Sequence, residues 1–279
     1  MRGLFWAALP LFLMAVWIWA ANLSRTHPIL TNQRIGLLIA HPDDEVMFFA
    51  PTLLALTDPG LGNHVQILCM SSGDADGQGA TRKKELVESA LALGIRSSDD
   101  VLVVDEPDFP DSMTIAWNPH LLARRLGTAF APNRSTSSSG SLPKPPIDSL
   151  ITFDAGGVSS HPNHRACHTG ATTFIHTSMR ERAGWGSPVE LYTLTSVNLW
   201  RKYVSFVDAP WTMLLAMRRA THESGSTPSS LVFMSDPAEY WRARQAMTQA
   251  HKSQMRWFRY GWITLSRYMV VNDLRRENE

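Results

Sequence analysis

Short continuous apolar runs alternate with longer stretches of helical character along most of this chain, and that alternation restricts the fold more than any other feature. Residues 34–40, 64–70, 101–104, 148–153 and 190–197 are rich in Val, Ile and Leu, as expected of strands buried on both faces of a parallel sheet. Between them, residues 45–56, 81–93, 119–130 and 163–177 read as helices. In 81–93, Leu86, Ala90 and Leu93 fall inward and Gly94 stops the helix. The expected class is α/β: a doubly wound, mostly parallel sheet with helices on both faces. A Ser-, Pro- and Gly-rich stretch at 131–146 is expected to be a flexible surface loop inserted between elements.

Upstream of the first strand lies a different solvent preference. Residues 3–23 contain no charged side chain. At ~1.5 Å per residue such a helix reaches roughly 30 Å, the thickness of a hydrocarbon core. Trp6, Trp17 and Trp19 sit towards its ends, as interfacial aromatics do. The expectation is a retained transmembrane anchor over residues 1–23, a polar linker over 24–33 and a catalytic domain over 34–279. A cleaved signal peptide is the rival, with a shorter apolar region and a clearer cleavage site than Ala20-Ala21-Asn22 offers. Arg25 and Arg34 outnumber Arg2 across the run, which places the body in the cytosol. Two formal glycosylation sequons, at Asn22 and Asn133, test that orientation.

Composition removes several function classes. The net charge is +1, with no sustained basic stripe, so nothing points to nucleic acid. Two cysteines, Cys69 and Cys167, make neither a disulfide framework nor a thiolate metal site. The stretch 240–269 mixes Arg and Lys with Trp241, Trp257, Phe258, Tyr260, Trp262 and Tyr268. It reads as a terminal helix with its aromatics packed on the body, or as a basic aromatic face near a bilayer.

Chemistry concentrates just past two strand ends. Ala40-His41-Pro42-Asp43-Asp44-Glu45 follows the first strand, and His161-Pro162-Asn163-His164 follows the fourth. Open α/β sheets bind ligands outside the carboxyl ends of their strands, so the two clusters can meet at one edge. They offer two His and one carboxylate for a zinc ion with an open position, plus a spare carboxylate and a spare His. His161 and His164, three apart at a helix start, can face one side. Asp43 and Asp44 are adjacent and point different ways, so one can bind metal while the other acts on water. Such donors also admit iron, cobalt or manganese.

These motifs resemble the PIG-L (LmbE-like) family of zinc-dependent de-N-acetylases, and the likeness extends over residues 35–274. Blocks at 68–74, 78–86, 152–159, 196–203, 251–258 and 266–269 look like its eukaryotic branch. The resemblance implies hydrolysis of N-acetylglucosaminyl-phosphatidylinositol, the second step of GPI-anchor biosynthesis, by a single-pass protein of the endoplasmic reticulum membrane with a cytosolic catalytic domain. It implies His41, Asp44 and His164 as Zn2+ ligands, Asp43 as general base, and His161 as stabiliser of the oxyanion or of amine departure. Arg82 matches an arginine that contacts substrate in bacterial relatives, although a solvated helix-face charge suits the same position. Asn163 stands where the family often has Asp. Glu45 is expected to support the loop, and Asp74 and Asp154 to line it or to act from behind the ligands. Two rivals are a de-N-acetylase of another N-acetylglucosaminyl conjugate and a membrane-tethered glycolipid-binding protein with an inactive site.

Overall fold

The structure is a computed structural model that describes residues 2–130, 147–180, 189–220 and 228–277; the loop expected at 131–146, with the Asn133 sequon, lies outside the described residues. Strands β1 (Arg34–Ile39), β2 (His64–Cys69), β3 (Val101–Val103), β4 (Ser149–Phe153), β5 (Glu190–Leu194), β6 (Ser230–Met234) and β7 (Val271–Arg276) form one sheet. Its order is β3-β2-β1-β4-β5-β7-β6. The first five strands pair in parallel, while β7 runs antiparallel to both β5 and β6.

The helices are α1 (Arg2–Ser24), α2 (Asp44–Met47), α3 (Ala50–Leu56), α4 (Gly79–Ala92), α5 (Pro119–Phe130), α6 (Gly157–Ser160), α7 (Pro162–Arg180), α8 (Leu199–Lys202), α9 (Ala209–Ala220), α10 (Pro237–Gln245) and α11 (Trp257–Leu265). Leu86, Ala90 and Leu93 are buried, as the periodicity of α4 predicts. β1 is an interior strand, and Ile35 to Ile39 is buried throughout, which explains why it reads as an unbroken apolar run. The chain runs from β1 to β2 and β3 on one side, then returns to β4 on the other. This order reversal opens a crevice between the carboxyl ends of β1 and β4.

Three departures from the sequence reading have physical causes. The helix expected over 45–56 is two helices. Phe48 and Phe49 leave helical geometry, and Pro51 fits only in the first turn of the helix that follows, because it lacks an N–H. The break turns Phe48 towards His164, with ring centroids 5.3 Å apart, and Phe49 towards Phe153, 5.1 Å apart. The stretch 240–269 is not one terminal helix: α10 passes through a π-helical turn at Ala246–Ala250 and a 3-10 turn before α11 begins.

Strands β6 and β7 were absent from the sequence expectation. β7 is hidden by its polarity, since Asn272 and Asp273 are buried within it. The Asn272 side chain donates to Phe48 O at 2.9 Å and accepts from Thr52 Oγ1 at 2.7 Å, so this core amide pins the break between α2 and α3.

The apolar N-terminal run folds as α1. Its last turns dock on the body: Ala20 and Ala21 are buried, and Trp17 Nε1 donates to Ser235 O at 2.8 Å. Residues 24–33 also have partners, with Leu30 buried and Arg25 paired to Asp236 and Glu239. Among the described residues, no helix is long and apolar enough to cross a membrane.

Candidate active site and metal centre

The β1–α2 turn brings its carboxylates to the crevice by an unusual backbone. Asp43 has φ 107°, a left-handed conformation that Asp tolerates better than most residues. Asp43 N donates to Glu45 Oε2 at 3.0 Å. Glu45 is itself fully buried and accepts from Ser89 Oγ and bonds His251 Nε2, both at 2.6 Å. Glu45 therefore supports the loop from behind, as expected.

His41, Asp44 and His164 are buried, and they offer donor atoms within 4.8 Å of one another. Their hydrogen bonds decide which lone pairs face inward. Gly157 O can only accept, so His164 Nδ1 donates to it at 3.2 Å, which turns Nε2 to Asp44 Oδ1, 3.2 Å away. Two ligands ~2 Å from a tetrahedral ion lie roughly 3.3 Å apart, so this spacing suits a zinc-sized cation.

Asn163 sets His41 by the same logic. Its Oδ1 accepts from Ser112 N and its Nδ2 donates to Ile115 O, both at 3.1 Å, which fixes the amide orientation. His41 Nε2 lies 3.1 Å from that Oδ1 and must donate to it, leaving Nδ1 as a lone pair on the Asp44 side, 3.9 Å from Oδ2. Asp44 Oδ2 accepts from Ala40 N at 3.0 Å and His41 N at 2.9 Å, leaving Oδ1 for the ion. Burial works against the Asp44 charge, but His164 and His41 hold its carboxyl below the usual range. Burial also lowers the His41 pKa despite Asp44 and Asp111. Neutral imidazoles and an ionised carboxylate are the forms a divalent cation takes.

A second group, His41, Asp111 and His161, also brings donor atoms within 4.8 Å of one another. It is less suited, because His41 Nε2 already donates to Asn163 and both other members are half-buried.

The remaining predicted residues surround the donor set. His161 packs over His164 with centroids 4.7 Å apart and over His41 at 5.1 Å. Its Nδ1 accepts from Asn163 N at 3.2 Å, so Nε2 carries the proton of the neutral ring. Burial first, then the neighbouring His164 and His41, push its pKa down to about 4. At neutral pH it is thus an uncharged hydrogen-bond donor. Arg82 is buried, which removes the solvated-charge reading: it donates to Gly73 O at 2.6 Å and Pro42 O at 2.8 Å, and reaches Asp43 at 3.6 Å. Asp154 is spent on the turn after β4, accepting from Gly156 N, Gly157 N and Ser196. Asp74 accepts from Gly79 N at the start of α4.

Three neighbours escaped the sequence reading. Arg259, from α11, bonds the Asp43 carboxylate directly. Asp111 lies 3.3 Å from His41 Nε2 and 3.4 Å from Arg82. His251 bonds Glu45. None follows a strand end or a recognisable spacing; His251 lies in the family-like block 251–258 and Arg259 in the cationic-aromatic stretch 240–269, but neither pattern assigns a role.

The His251–Glu45 pair carries a stability prediction. Burial opposes the His251 charge, but Glu45, with help from Asp43 and Glu85, raises its pKa above the ordinary 6.5. A group raised on folding stabilises fully below its unfolded pKa and loses that contribution as pH climbs through the folded value. Breaking a buried pair costs about 3–5 kcal/mol. Relative to His251→Gln, the wild-type protein is expected to have its largest melting-temperature advantage below about pH 6.5, with the advantage shrinking above it. An advantage that grows with pH in thermal melts would contradict the charged pair.

Comparison with known proteins shows the family. The family model described as PIG-L: GlcNAc-PI de-N-acetylase matches residues 37–175. An N-acetylglucosaminyl-phosphatidylinositol de-N-acetylase of Arthroderma benhamiae is 46% identical, over 97% of this chain and 96% of its own length. The protein of that name from Bos taurus is 34% identical, over 93% and 91% respectively. Among solved structures, a triple mutant of a deacetylase of the teicoplanin biosynthetic pathway superposes with TM-score 0.51 at 14% identity, covering 88% of this chain and 99% of the other, a likeness of fold.

Proposed function

Because the chain belongs to the PIG-L family of GlcNAc-PI de-N-acetylases, we propose that it removes acetate from N-acetylglucosaminyl-phosphatidylinositol with a zinc ion held by His41, Asp44 and His164. The reaction, a step of GPI-anchor biosynthesis, yields glucosaminyl-phosphatidylinositol and acetate. The observation that carries the metal reading is the convergence of two imidazoles and one carboxylate, all buried, with donor atoms within 4.8 Å of one another. When bound, zinc supplies Lewis-acid polarisation of the acetamide carbonyl and of the attacking water.

The chain's own residues do the rest. Asp43 takes the proton of the water as it attacks the carbonyl carbon, and gives that proton to the sugar nitrogen as the C–N bond breaks. His161 donates from Nε2 to the oxygen that becomes negative, and its lowered pKa suits it to hydrogen bonding as a neutral ring. Arg259 and Arg82 flank Asp43 and fix its carboxylate. In this reading Arg82, which lies next to Asp111, also contacts the sugar.

Residues 34–279 form the de-N-acetylase domain in this reading. The charge-free run within α1 supports a tether to the endoplasmic reticulum membrane with the body in the cytosol, where an acylated substrate and a tethered enzyme meet at high effective concentration.

The test is acetate release from N-acetylglucosaminyl-phosphatidylinositol by the full chain in detergent. Turnover is expected to vanish on chelation and to return with zinc. Full turnover in the chelated, metal-free protein would overturn the metal reading. Absence of release by protein with stoichiometric zinc would overturn the substrate.

A further inference from the structure

The side of the molecule beside the crevice exposes large apolar groups that a water-soluble surface does not retain in such density. Leu199 and Trp200 of α8, Val207 in the following turn, Trp211 of α9, and Trp257 and Phe258 of α11 are all exposed, with Trp200 at 84% and Trp257 at 86%. Single exposed apolar residues are ordinary; a run of tryptophans across neighbouring elements is not.

The elements are held rigidly from beneath. Asp208 bonds Arg201 at 2.6 Å, Thr212 at 2.7 Å and Arg267 at 3.0 Å, which ties α8, the turn and α9 to the body. Their apolar side chains therefore cannot collapse inward without breaking a buried polar network.

The same elements reach the active site. Lys202 at the end of α8 donates to Ser159 Oγ at 2.8 Å, next to His161. Arg259 of α11 bonds Asp43. Tyr203 and Trp262 meet edge-to-face with centroids 5.7 Å apart, joining α8 to α11 across the gap.

They are also continuous with the apolar helix. Trp17 of α1 stacks on Phe206 at 4.9 Å and meets Tyr240 at 5.4 Å, and the Tyr240 hydroxyl donates to Ile263 O in α11. Further along α1, Leu11, Phe12 and Trp19 are exposed.

We propose that α8, α9 and α11 form a bilayer-docking shelf, whose tryptophans enter the boundary between phospholipid headgroups and acyl chains and bring the mouth of the crevice to the membrane surface. Continuity with the charge-free run 3–23 of α1 selects lipid as the occupant, and Trp is the side chain best suited to that boundary. The shelf would add a second membrane contact to the α1 tether and fix the orientation of the domain, so that a headgroup need not leave the surface to be cleaved. The consequence for catalysis rests on the proposed reaction; the docking itself does not.

The test reconstitutes the full chain into vesicles of phosphatidylcholine and phosphatidylinositol, with a spin label placed at Val207→Cys or Trp257→Cys. Both labels are expected to be more accessible to oxygen than to a water-soluble nickel chelate, as for groups within the acyl region. These vesicles contain no protein partner, so labels that remain in water would overturn the lipid assignment. In parallel, Trp200→Glu/Trp257→Glu is expected to lower turnover of vesicle-borne substrate at least about ten-fold through lost surface concentration, while turnover of a water-soluble short-chain analogue stays unchanged. Equal losses on both substrates would overturn the shelf as a membrane device. If wild-type protein cleaves neither substrate, the reaction is wrong and the label depths alone decide the docking.

Discussion

Asp43→Asn is expected to lower turnover by about 10²–10⁴-fold while metal content stays at the wild-type level. Asn is the informative replacement because it keeps the shape of the side chain. It also tolerates the left-handed backbone at this position, φ 107°, where Ala would add strain to the chemical loss. Asp43 contributes nothing to the donor set: its carboxylate faces Arg259 and Arg82, while Asp44 faces the imidazoles. Loss of base function should therefore separate cleanly from loss of metal. Parallel measurement of zinc stoichiometry and acetate release checks it. Wild-type turnover in Asp43→Asn would remove the base assignment, and loss of zinc would make Asp43 a ligand. Arg259 sharpens the expectation, since the variant leaves that guanidinium facing a neutral amide and any rescue by a nearby carboxylate such as Asp111 would show as a residual rate.

The legibility of this site follows the physics of each part. β1 and β4 are buried on both faces, so their apolar runs mark them, and the rule that ligands gather past strand ends places both motifs in one crevice. Which of their residues would hold metal was not legible from that rule and came from the family resemblance. Arg259 and His251 were not legible, because they arrive from more than two hundred residues away through α11 and the turn before it. β7 itself is disguised by Asn272 and Asp273, buried polar residues that earn their place through hydrogen bonds instead of apolar area. Asn163 was visible as a departure from the family pattern, but its side-chain partner, His41, was not.

His164→Ala and Asn163→Ala form a graded pair that tests how the donor set is built. Removing His164 deletes a donor atom and its stack on Phe153, with ring centroids 4.0 Å apart. Zinc affinity is expected to fall beyond the roughly 10–100-fold cost of losing an outer partner, leaving protein without stoichiometric metal and without turnover. Asn163→Ala keeps every donor atom and removes the acceptor that holds the proton on His41 Nε2, together with the bonds to Ser112 N and Ile115 O. Its affinity should drop within about 10–100-fold, and turnover should recover at raised zinc concentration. Zinc titration followed by competition with a chelator measures both. The alternative donor group gives the opposite ranking, since it uses His41 with Asp111 and His161 and does not need His164 at all. It would draw on His41 Nε2, the nitrogen that Asn163 occupies, so freeing that nitrogen in Asn163→Ala would strengthen binding there. Retained metal in His164→Ala together with tighter binding in Asn163→Ala would move the ion to that group; the reverse order places it between His41, Asp44 and His164, where the two imidazoles are already turned to receive it.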